Sequence, residues 1–142
     1  EDVDIYDTMS ASVKYSNGVM MSYSLNASMP IEGYRIAFNG THGRLEVRDY
    51  ERQPWPEDLQ SEIYLIKSFP KKRERIPMPD FKGGHSGGDD ILREVIFRNK
   101  EVPEYLRLPG SRAGAMSCLT GIAARTSIEQ QRPVKITELI RL

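Results

Sequence analysis

The residues best suited to chemistry gather in one short run, Gly83-Gly84-His85-Ser86-Gly87-Gly88-Asp89-Asp90. It holds an imidazole and a carboxylate at i and i+4, with four glycines in six positions around them. Glycine costs about 0.5–1 kcal/mol relative to alanine in regular structure. That cost is tolerable in a plain loop, and it is useful where a backbone must turn sharply or come close to a ligand.

Three ligand chemistries compete for this segment. A phosphate wants a helix N-terminus free of negative charge, and Asp89 and Asp90 stand where the next helix should begin. A metal ion wants more donors than His85 and Asp89 supply. A ligand rich in hydroxyls, such as a sugar, fits better, because an imidazole and a carboxylate can exchange several hydrogen bonds with hydroxyl groups. A plainer alternative stays open, in which the glycines form a loop, Asp89 caps the helix and His85 is surface. The candidate substrate contacts are therefore His85, Ser86, Asp89 and Arg112. Arg112 lies near the positive end of its own helix, an unfavourable place for a cation. It either pairs with a carboxylate such as Asp89 or Asp90, which is the simpler expectation, or it faces a ligand. His42 falls in a tight turn and reads as structural.

The elements that must position these residues come in two halves. The first half alternates with a period of two, the strand signature. Met9, Ala11, Val13 and Tyr15 alternate with polar residues, Asn17-Gly18 marks a hairpin, and Val19, Met21, Tyr23 and Leu25 resume the alternation. Tyr34, Ile36 and Phe38 form a third strand, the run Gly40-Thr41-His42-Gly43 a second turn, and Leu45 and Val47 a fourth strand. Residues 52–58 are a loop, and strands are expected at 63–68 and about 73–78. One face of such a sheet is apolar and must be covered. The other carries Ser12, Lys14, Ser22, Ser24, Arg35, Arg44 and Glu46 and can meet water or a polar partner. This Ser- and Arg-bearing face is expected to pair with another copy.

The second half changes to helical spacing. Ile91 with Val95, and Leu92 with Ile96, form one wide apolar face. Ser111 is placed to cap a second helix, with a stripe of Ala115, Met116, Leu119, Ile122, Ala123 and Thr126. Small residues surround that stripe. Pro133 ends the helix, and residues 134–136 are expected to add a short strand. The layout is α+β, an open, mostly antiparallel sheet with helices packed on one face.

The chain has 142 residues, 39% hydrophobic and 28% charged, which fits one soluble domain, residues 1–142, with a respectable core. Twenty basic residues balance twenty acidic ones, so no electrostatic pull on nucleic acid is expected. The basic run Lys71-Lys72-Arg73-Glu74-Arg75 reads as a hairpin tip or a guarded edge strand. Cys118 stands alone and reads as a buried thiol. No apolar run approaches the ~20 residues of a membrane span. The sequence opens on acidic residues without Met. That suggests a chain cut from something longer, with any targeting signal on the other part; a cytoplasmic location is favoured and a periplasmic one stays open.

Several segments together resemble one family. The run YRIAFNGTHGRLEV (34–47) resembles the strand, Gly-Thr-x-Gly, strand element of the glucose-fructose oxidoreductase / inositol dehydrogenase / rhizopine catabolism family. VKYSNGVMMSYS is similar to its first long strand pair, GGHSGGDD to the Gly-His-x-Gly-x-Asp segment of several members, and RAGAMSCLTGIAARTSIEQQRPVKI to its closing helix.

The resemblance implies a two-domain parent. An N-terminal Rossmann domain binding NAD or NADP would be absent from this chain. The chain itself would be the C-terminal substrate-binding and oligomerisation domain, built like the C-terminal domains of dihydrodipicolinate reductase and glyceraldehyde-3-phosphate dehydrogenase. It implies hydride transfer on a sugar or polyol, a homo-oligomer through the sheet face, and a substrate-contact role for His85 and Asp89. Relatives with the same glycine loop include NAD-dependent glycosidases, so hydrolysis is the alternative; a non-catalytic interaction domain is another. The sequence departs from the family pattern in lacking G-x-G-x-x-G and the Glu-Lys-Pro segment. No catalytic residue, cofactor-binding residue or metal ligand is therefore expected on the chain.

Overall fold

The computed structural model describes residues 5–56, 61–78, 84–104 and 108–140. Among the described residues, six strands precede a 3-10 turn and three helices, an α+β fold. The chain divides into two compact units, Glu1–Lys82 and Gly83–Leu142.

In the first unit the strands separate into two antiparallel sheets. β1 (Thr8–Lys14) pairs with β2 (Met20–Asn26), and their register sets Met9 against Leu25, Ala11 against Tyr23 and Val13 against Met21. The alternate residues form a serine ladder, Ser10 against Ser24 and Ser12 against Ser22. The hairpin closes as the Asn-Gly pair requires. Gly18 takes φ +87°, and the Asn17 side-chain oxygen accepts the Val19 N–H at 3.1 Å.

The larger sheet runs β3 (Glu32–Gly40), β4 (Gly43–Arg52), β5 (Glu62–Lys67) and β6 (Lys72–Ile76), each antiparallel to the next. Tyr34, Ile36, Phe38, Leu45, Val47, Ile63, Leu65 and Ile76 share its apolar face by register. The opposite face carries Arg35, Arg44, Glu46, Arg48, Glu62, Tyr64, Arg73 and Arg75. The Ser68 N–H donates to the His42 carbonyl at 2.9 Å, tying the β3–β4 turn to the end of β5, which is the structural role expected of that turn. The basic run becomes β6, an edge strand, where Glu74 bridges Lys72 at 2.9 Å and Lys67 at 3.4 Å. The 52–58 loop is irregular as far as Pro56, and its remainder lies outside the described residues.

In the second unit, a 3-10 turn (Gly84–Gly87) leads into α1 (Gly88–Arg98), followed by α2 (Ser111–Gln130) and α3 (Ile136–Leu139). Three expectations are corrected here. The N-caps are Gly87 and Gly110, with no side-chain cap bond, so Asp89 and Ser111 sit inside the first turns of their helices. The segment after Pro133 forms α3 where a strand was expected. The Lys135 N–H donates to the Glu138 carboxylate at 2.9 Å, and this local bond outweighs the β-preference of Val134 and Ile136. Cys118 is exposed on α2, where a buried thiol was expected.

Among the described residues no hydrophobic side chain is fully buried. The best-covered residues lie on β4 and β5, which have a strand on either side. Outer elements stay open: Ile36 and Phe38 on β3 are 44% and 59% exposed, and Ile96 and Phe97 on α1 are 51% and 79% exposed.

Candidate functional site

The glycine run folds as the 3-10 turn running directly into α1. Gly87 makes this possible by taking φ +80°, which L side chains rarely adopt. His85 is itself left-handed, at φ +49°. Among the described residues, the other two non-glycine residues with positive φ, Asn99 and Gln131, close α1 and α2, where that conformation is an ordinary helix ending. His85 closes no helix. A backbone outlier of this kind is of order 1 kcal/mol or more above the allowed regions and is a pointer to function.

The left-handed turn brings the imidazole onto the first turn of α1. His85 Nδ1 lies 3.0 and 3.1 Å from the two oxygens of Asp89. An ionised carboxylate only accepts, so Nδ1 carries the proton of that bond. Asp89 also sits where the helix dipole favours a negative charge. The pair is solvent-facing, with side-chain exposures of 87% for His85 and 42% for Asp89. An exposed pair is worth about 0.2–1 kcal/mol, so stability is a weak reason for it to exist.

The remaining candidates are placed differently. Ser86 belongs to the 3-10 turn, but its side chain and all of Gly83 lie outside the described residues. Arg112 is in the first turn of α2, and the expectation that it pairs with Asp89 or Asp90 is corrected. Asp89 is taken by His85 and Asp90 by Arg93 at 3.2 Å. Arg112 has no ion pair or hydrogen bond among the described residues. No group of three or more metal-ligating side chains occurs among the described residues. The start of α1, with Asp89 and Asp90 in its first turn, does not suit a pyrophosphate.

Sequence reasoning missed a second polar cluster, in the sheet unit. Ser61 donates to Asp49, which lies opposite Tyr34 in the β3–β4 register. Partial burial, then the Asp49 charge and hydrogen bond, push the Tyr34 phenol above its ordinary range. No spacing in the sequence signals this cluster; only the strand pairing assembles it.

Comparison with known proteins gives the chain's relationships. The family model described as the oxidoreductase family C-terminal alpha/beta domain matches residues 2–136. The chain belongs to this oxidoreductase family. It is also 36% identical, over 145 aligned positions, to a Bacillus subtilis (strain 168) protein named "Putative oxidoreductase YteT". That match covers 100% of the chain and 34% of the relative, so the chain spans about a third of the relative's length. No solved structure matches. The α+β architecture accords with a C-terminal domain of this oxidoreductase family, and no helix among the described residues is long and apolar enough to cross a membrane.

Proposed function

We propose that this chain is the substrate-contact and assembly domain of an NAD- or NADP-dependent oxidoreductase acting on a sugar or polyol. The nicotinamide is assigned to a Rossmann domain outside the chain. The observation that carries the reading is His85, held in a left-handed backbone with its ring locked by Asp89 at the mouth of α1. With Nδ1 bonded to the carboxylate, the His85–Asp89 pair presents an imidazole and a carboxylate to hydroxyl groups of the substrate. Arg112, in the first turn of α2, is proposed as a further donor to the substrate. The residues on this chain bind and orient the substrate; the cofactor carries the redox chemistry.

The wide polar sheet face is proposed to join two copies of the protein, which a light-scattering mass at tens of micromolar checks. The functional test uses the full-length protein with NAD or NADP and a panel of sugars and polyols, followed at the nicotinamide absorbance. The expected result is steady reduction of the cofactor with at least one of them. Release of the aryl group from an aryl glycoside, with no net change in nicotinamide, would instead establish hydrolysis. Unchanged turnover after replacement of both His85 and Asp89 would leave the chain only an interaction role.

A further inference from the structure

We propose that Asn17, in preference to Asn39, is a site of spontaneous covalent modification in the folded protein, converting through a cyclic imide to aspartate and isoaspartate.

Two asparagines of the chain precede a glycine, in Asn17-Gly18 and Asn39-Gly40. That dipeptide favours an internal attack, because glycine has no side chain to crowd its own nitrogen. The glycine nitrogen bonds to the asparagine Cγ and gives up its proton to water. The bond from Cγ to Nδ2 breaks and ammonia leaves, closing a five-membered imide. Water then opens the ring. Opening at Cγ leaves aspartate. Opening at the main-chain carbonyl carbon leaves isoaspartate, with the asparagine Cβ and Cγ now in the backbone. Water is consumed, ammonia is released, and no oxidant or reductant takes part.

Exposure does not separate the two positions, since both asparagines are exposed. What holds them in place does. Asn17 lies in the loop between β1 and β2, closed by Gly18 N–H to the Tyr15 carbonyl at 3.0 Å and Tyr15 N–H to the Val19 carbonyl at 2.9 Å. The Asn17 side-chain oxygen accepts the Val19 N–H at 3.1 Å, which draws electron density from Cγ and makes it a better electrophile. A Cβ built on Gly18 would meet no atom within 4 Å, so nothing crowds the approach. The Gly18 bond to Tyr15 has to open before the nitrogen can attack. It sits at the tip of a two-stranded ribbon, a structure marginally stable by itself, where local opening is cheap.

Asn39 is held more firmly. Its side-chain oxygen takes a charge-assisted bond from Arg44 at 2.6 Å, and Arg44 is its register partner on β4, anchored in turn on Glu46. Gly40 is paired with Gly43. The turn between them is tied to the end of β5 through Ser68 N–H and the His42 carbonyl. For the Gly40 nitrogen to reach Cγ, the end of β3 has to leave a four-stranded sheet and Arg44 has to release the amide. The same dipeptide is therefore labile in one hairpin and protected in the other. Conversion at Asn17 adds a negative charge to the hairpin tip. Isoaspartate also lengthens the main chain between Tyr15 and Val19, so the two turn bonds no longer match.

Peptide mass mapping of the full-length protein, aged at mildly alkaline pH, tests this. In denaturant the two asparagines are expected to convert at similar rates. In the folded protein Asn39 is expected to convert at least about tenfold more slowly than Asn17, reflecting its larger opening cost. Methyl transfer by an isoaspartyl methyltransferase should label the Asn17 peptide first. Arg44→Ala, with its fold checked by circular dichroism, should speed conversion at Asn39 severalfold and leave Asn17 unchanged. Equal rates at the two asparagines in the folded protein, or an Asn17 still intact when the denatured sample has converted, overturn the proposal. An unchanged Asn39 rate in Arg44→Ala overturns the protection assigned to that arginine.

Discussion

Replacing Asp89 with alanine in the full-length protein separates a working His85–Asp89 pair from a decorative one. The structure sets the stability side of the prediction. With His85 87% and Asp89 42% exposed, loss of the contact removes about 0.2–1 kcal/mol of pairing. Loss of a favourable charge at the start of α1 removes about 0.3–1 kcal/mol more. The folded protein should therefore lose no more than about 2 kcal/mol, a shift of only a few degrees in melting temperature. The kinetic side is larger if both groups contact the substrate. A hydrogen bond to a charged group is worth about 1.5–3 kcal/mol, and each 1.36 kcal/mol is about tenfold in rate. Asp89→Ala then lowers kcat/KM by about 10- to 100-fold, and His85→Ala by a similar factor. The double variant should fall short of the product of the two, because the residues act as a unit. Steady-state assays on the responsive sugar or polyol, with thermal melts of the same samples, read both sides. A folded Asp89→Ala variant within twofold of wild-type kcat/KM would refute the reasoning.

Three further outcomes follow from the structure. Gly43→Ala should destabilise the protein by about 1–3 kcal/mol in denaturant melts, because the added Cβ falls well inside 3.0 Å of the Ile66 carbonyl oxygen, a backbone atom held in the β4–β5 ladder. Lys72 first and Lys67 next hold the Glu74 carboxyl below its ordinary 4.5, and the Lys135 N–H followed by Arg132 do the same for Glu138. Their folded pKa values are depressed, so their contribution is present above the ordinary value and fades as pH falls through the lower folded one; melting temperatures should drop on acidification below about 4.5, and Glu74→Gln with Glu138→Gln should flatten that drop. This chain prepared alone should show no micromolar binding of NAD or NADP by calorimetry, since the start of α1 presents carboxylates in place of a phosphate cradle.

The strands were legible because the alternation is long and the punctuation strong. Asn17-Gly18 located the first hairpin, and the apolar sets of β1 to β4 fall on single faces as the period of two required. The helices were legible from the spacing of Ile91, Leu92, Val95 and Ile96, but their first residues were not. A glycine in a left-handed or extended conformation caps without a side chain, so the nearest Asp or Ser looked like the cap. The strand expected at 134–136 failed because Glu138 bonds back to Lys135, a local capping contact that residue type alone does not reveal. The i,i+4 spacing of His85 and Asp89 was legible as chemistry. Their mutual hydrogen bond, and the left-handed turn at His85 that makes it, were not. The placement of Arg112 was misread because its expected partners found nearer groups, Asp89 the His85 imidazole and Asp90 the Arg93 guanidinium one turn along.

Nitrogen NMR of histidine-labelled full-length protein reaches the central claim most directly. The account predicts that the Nδ1 and Nε2 signals of His85, assigned by comparison with His85→Ala, move when the sugar or polyol that is turned over is added to the cofactor-loaded protein, and stay in place when cofactor alone is added. Signals of His85 unmoved by a saturating substrate that the same sample converts would contradict it.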